Sequence, residues 1–179
     1  MTVMKKAFVL LLLGGISCAF AQEGTIPRWE IVELAEDLHR NTGTVDTILE
    51  QIQPFDWVSR GAREVYVAQH ETLRGDVRNL ALSAQEMIRD PEKLSASIST
   101  FLWLERVSSM VDSIAAGVRR YQSAALANLL ENAGAKVLSS EDLLKQYMRQ
   151  RAVDQENELA IADDEAQRCR SEILKRSRN

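Results

Sequence analysis

The chain has 179 residues, with 22 basic and 26 acidic side chains and a formal net charge of −4. That mild acidity speaks against binding nucleic acid, which calls for a basic face. Its two cysteines stand at 18 and 169, and the first falls in a leader expected to be removed, so one cysteine is too few for a CxxC or Cys/His zinc cluster or a CxxCH haem attachment.

Residues 1–21 read as a cleavable signal peptide. Lys5 and Lys6 precede an uncharged apolar run from Ala7 to about Ile16, and Ala19-Phe20-Ala21 offers small residues before a cut. The run is too short for a bilayer, which takes roughly 20 residues. The expected address is therefore export, periplasmic or secreted. Cys18 raises a competing lipoprotein reading, but no leucine stands three residues before it. The leader carries two lysines and no acid, so the remainder holds 20 basic and 26 acidic side chains, a net −6. Beyond the leader only Cys169 remains, which rules out a disulfide within the mature chain. No later stretch is long and apolar enough to span a membrane.

Residues 22–28 read as a flexible leader, and 29–179 as one helical domain. Along the first helix, expected over about 29–53, Ile31, Leu34, Leu38, Asn41, Val45, Ile48 and Ile52 recur at alternating steps of three and four. The repeat keeps its register across Asn41-Thr42-Gly43-Thr44, so one continuous helix is expected, ended by Pro54. A second helix, over about 56–89 with Asp56 as its N-cap, carries Tyr66, His70, Leu73, Val77, Leu80, Ala84 and Met87 on one stripe. Asp90-Pro91 reads as an N-cap and first position.

The third helix, over about 91–133, is the most apolar. Leu104, Val107, Val111, Ile114, Val118, Tyr121 and Ala125 mark one stripe, and Trp103, Met110, Gly117 and Ala124 a second. A helix apolar on two sides is central or meets a partner, so Trp103 and Met110 are candidate contact residues. Gly134 is its expected stop. The fourth helix, over about 140–177, opens with Glu141 and Asp142, where acids suit the dipole. Its stripe runs through Leu144, Met148, Ala152, Gln155, Leu159, Ala162, Ala166, Cys169 and Ile173.

The resulting expectation is an all-α fold: an elongated antiparallel four-helix bundle with coiled-coil-like packing.

His39 and His70 are the only histidines, and they lie equally far from Pro54-Phe55. In a hairpin turning there they would stand level, where two imidazoles could ligate haem or a metal. Glu36 supplies one Glu-x-x-His pair, but Val67 stands where the second glutamate of a dimetal bundle would be. The alternative places both histidines on partly solvated flanks. Cys169 reads as a small buried residue or as one half of an interchain disulfide. Trp29 and Trp57 read as caps on the core. The basic end, Arg168 to Arg178, suits the helix dipole and a peripheral contact with an anionic envelope.

No nucleophile–base set, phosphate loop or paired carboxylate is recognisable, so no enzyme activity and no cofactor are expected. The leading functional expectation is a protein that works through a protein partner or as a homo-oligomer. A small-ligand, metal or haem-binding bundle using His39 and His70 is the alternative.

Overall fold

The computed structural model describes residues 25–177. The signal-peptide reading and Cys18 lie outside the described residues. Within them the chain is all-helical: α1 (Arg28–Leu49), α2 (Pro54–Val58), α3 (Val65–Arg89), α4 (Leu94–Tyr121), α5 (Ala124–Leu138) and α6 (Glu141–Arg176). Five of them, α1, α3, α4, α5 and α6, pack against one another.

Cross-helix contacts set the directions. Leu49 meets His70 while His39 meets Ala81, so α1 and α3 run antiparallel. Gln69 meets Ser113 and Asp76 meets Arg106, so α4 reverses again. Arg119 reaches Asn128 and Glu131 on α5, and α5 packs on α1 as well. The core fills from these faces. Ile31, Leu38, Leu49, Leu73, Leu80, Met87, Leu104, Ile114, Leu130 and Leu144 are fully buried. Burying each such side chain contributes about 1.5–3 kcal/mol.

Helix α1 runs unbroken through Asn41-Thr42-Gly43-Thr44, as its repeat implies. Thr42 and Thr47 fold their hydroxyls back onto the carbonyls of His39 and Gly43, so the polar loop signal is absorbed inside the helix.

Four boundaries differ from the sequence reading. Pro54 does not end α1, which stops at Leu49; it opens the short α2 at the first position, where its missing N–H costs nothing. The expected second helix is split, because Gly61 takes φ +89° between α2 and α3, a left-handed conformation suited to glycine. Asp56 is therefore not an N-cap. Likewise Pro91 sits in the turn before α4, whose N-cap is Lys93.

The third expected helix breaks at Gln122-Ser123, twelve residues before Gly134. Ser123 is extended, and its Oγ accepts from the Leu126 nitrogen, an N-cap for α5. Gly134 is helical and buried. A Cβ there would lie 2.8 Å from Val111 Cγ1, so this glycine permits close approach of α5 to α4.

Ser139 and Ser140 both keep right-handed helical angles. The chain therefore continues in nearly one direction from α5 into α6. Gly134 lies at Val111, Lys145 near Glu105, and Arg151 at the Glu92 carbonyl. α5 and α6 together thus ascend antiparallel to the whole of α4.

Candidate protein-contact surface

The first part of α6 is well anchored. Leu144 and Tyr147 are buried. The Tyr147 hydroxyl donates to the Pro91 carbonyl at 2.6 Å, and Gln150 Oε1 accepts from the Ile26 nitrogen at 2.9 Å. Desolvation raises the Tyr147 pKa above its ordinary value.

Beyond this anchorage the helix leaves the body. From Glu156 to Arg176 every residue is exposed. This part has no glycine or proline and is rich in Ala, Glu and Arg, all good helix formers. The cause of its exposure is simple: α4 begins at Leu94, level with the Arg151 contact, so α6 outruns its partner. Leu159 is 68% exposed and Ile161 and Ile173 are each 61% exposed. Cys169 is exposed and free. Its expected burial fails because the stripe it belongs to continues past the body.

On α4, Trp103 and Met110 are half-buried against the core. The Arg106 guanidinium lies 5.2 Å from the Trp103 ring centre. Its Nε and Nη2 donate to Asp76 Oδ1 at 3.1 and 3.0 Å. Asp76 is buried, and its Oδ2 has no hydrogen-bond partner. Trp103 is thus tied into an ion pair on one side and the core on the other. The freer apolar residues of this helix are Ile98 and Leu102, which sequence reasoning did not single out. No stripe pattern marks them; only the position of the neighbours does.

The structure does not bring the two histidines together. The hairpin does not turn at Pro54, because α2 and the Gly61 loop intervene. His39 stands level with Ala81, eleven residues beyond His70 on α3, about 16 Å along the axis at 1.5 Å per residue. His39 is exposed and its Nδ1 donates to the Ala81 carbonyl at 3.1 Å. His70 is 8% exposed and its Nε2 donates to the Leu49 carbonyl at 2.9 Å. Each ring thus serves a backbone carbonyl, which only accepts. His70 is not on a solvated flank; it closes the C-terminal end of α1. Glu36 lies with Trp29, Glu33 and Arg40 on the outer face of α1, away from His70. Among the described residues no group of three or more His, Cys, Asp or Glu could hold a metal ion, and no helix is long and apolar enough to cross a membrane.

An open groove lies between α2 and α3, lined by Phe55, Val67, His70, Glu71 and Arg74. Phe55 overhangs it, 70% exposed.

Of the tryptophans expected to cap the core, Trp29 is exposed. Trp57 is fully buried, stacked on Tyr121 and edge-on to Tyr66. Gly117 makes room for this cluster, since a Cβ there would lie 2.8 Å from Trp57 Cζ3 and 2.9 Å from Tyr66 Cε1. No protein-family model, curated protein or solved structure matches the chain.

Proposed function

We propose that this chain is an exported, non-enzymatic helical-bundle protein that works through protein contacts, as an adaptor, a chaperone-like factor or an envelope component. In this reading α1, α3, α4 and the α5–α6 pair are the four members of an antiparallel bundle. The bundle is a scaffold, and the free half of α6 is the part it presents. The observation that carries the reading is the unpartnered run from Glu156 to Arg176, with large aliphatic side chains in water. A helix that outruns its own core leaves apolar surface for another chain. The signal-like leader supplies the address.

Fractionation of the native host, with the protein followed by sedimentation, tests both halves. The reading expects the mature chain in the exported fraction, in a complex larger than one chain. A cytoplasmic protein sedimenting as a single chain would overturn it.

A further inference from the structure

The free half of α6 has its own length, apolar stripe and charge layout. It spans about 30 Å of single helix at 1.5 Å per residue. Leu159, Ala162, Ala166, Cys169 and Ile173 follow steps of 3, 4, 3 and 4, a coiled-coil seam. This seam continues the line that buries Leu144 and half-buries Met148 against the body. Helical stability in proteins comes mostly from packing an amphipathic face rather than from propensity, so this unpacked stretch gains from a neighbour.

Charge is segregated along the same stretch. No Lys or Arg occurs from 152 to 167, while six acids do, from Asp154 to Glu165. Arg168, Arg170, Lys175 and Arg176 then follow, against the single acid Glu172.

We propose that this segment pairs antiparallel with the same segment of a second copy. The proposal rests on the protein-contact reading and names the partner. Antiparallel alignment sets the acidic half of one helix beside the basic half of the other and opposes the two helix dipoles. It also places one bundle at each end of the paired helices. A parallel pair would align acid with acid and bring both bundles to one end.

Matching seam to seam over the free stretch sets Ile173 against Ala162 of the other copy and Cys169 against Ala166, larger beside smaller. Asp163 then flanks Arg170 of the other copy, twice by symmetry. Glu165 and Glu172 flank each other on the opposite edge, which keeps the pair weak. In a parallel pair Asp163 would instead meet Glu158, and Cys169 would face its own copy.

Analytical ultracentrifugation of the intact chain under reducing conditions, from about 1 to about 200 μM, reads this directly. A reversible monomer–dimer equilibrium is expected. Ala166→Glu, on an exposed residue, raises the dissociation constant at least about tenfold with an unchanged circular dichroism spectrum. Asp163→Arg weakens the dimer, and adding Arg170→Asp restores it. A chain monomeric throughout, or a dimer indifferent to Ala166→Glu, would overturn the proposal. A dimer strengthened by Asp163→Arg would overturn the antiparallel arrangement. A monomeric result would still leave the protein-contact reading to its own test by cross-linking in the native host.

Discussion

Gln122 accepts a hydrogen bond from the buried indole of Trp57, Nε1 to Oε1 at 3.1 Å. The same oxygen accepts from the Gln53 nitrogen, and Gln122 Nε2 donates to the Gln51 carbonyl at 2.7 Å. One side chain at the α4–α5 break thus holds the segment that links α1 to α2. Gln122→Ala leaves the Trp57 N–H buried without a partner, at a cost of about 2 kcal/mol. Chemical denaturation followed by tryptophan fluorescence checks this. A loss below about 0.5 kcal/mol would mean that water replaces the amide.

The glycines divide into two groups that should respond with opposite sign. Gly43 and Gly75 lie within helices with open space where a Cβ would go. Gly43→Ala and Gly75→Ala should each stabilise by about 0.5–1 kcal/mol. Gly117→Ala and Gly134→Ala should destabilise by about 1–3 kcal/mol, because the new methyl meets Trp57 and Tyr66, or Val111. Thermal melts of the four variants decide the matter, and a uniform sign would contradict the close-approach account.

Asp76 and Arg106 form an unequal pair, buried on one side and half in water on the other. Arg106→Ala leaves a buried carboxylate unpaired and should cost about 3 kcal/mol. Asp76→Ala only returns Arg106 to solvent and should cost less. Denaturation midpoints of both single variants and the double variant measure the asymmetry. Equal losses would count against it.

Tyr147 docks the base of α6 through its hydroxyl. Its pKa is raised chiefly by desolvation, so the folded state holds the phenolic proton more tightly than the unfolded state does. The contribution is fully present below the ordinary tyrosine value, about 10, and is lost as pH rises through the folded value. Stability should therefore fall above about pH 10, and Tyr147→Phe should flatten that fall while costing about 1 kcal/mol at neutral pH. An unchanged alkaline profile in the variant would sink this link.

The stripes made the helical class legible, and the repeat through Asn41 carried α1 across a loop-like tetrapeptide. The breaks were harder. Val118, Tyr121 and Ala125 keep heptad spacing across Gln122-Ser123, so periodicity hid a turn whose signal was Ser123 as an N-cap. Gly134 drew the break instead, because a glycine that permits packing has the same letter as one that permits a turn. The histidine pairing failed for a related reason. Residues equidistant from Pro54 are level only if the chain turns there, and α2 with the Gly61 loop displaces the register. The stripe of α6 was legible, but not its exposure, since nothing in its own sequence says that α4 starts too late to cover it.

The central claim is that the free half of α6 is the contact surface. Photo-cross-linking in the native host, with the reactive group at Ala166 and a control at the exposed Gln85 on α3, tests it most directly. The account predicts a discrete adduct from position 166 and none from 85. No adduct from 166, or the same adducts from both, would contradict it.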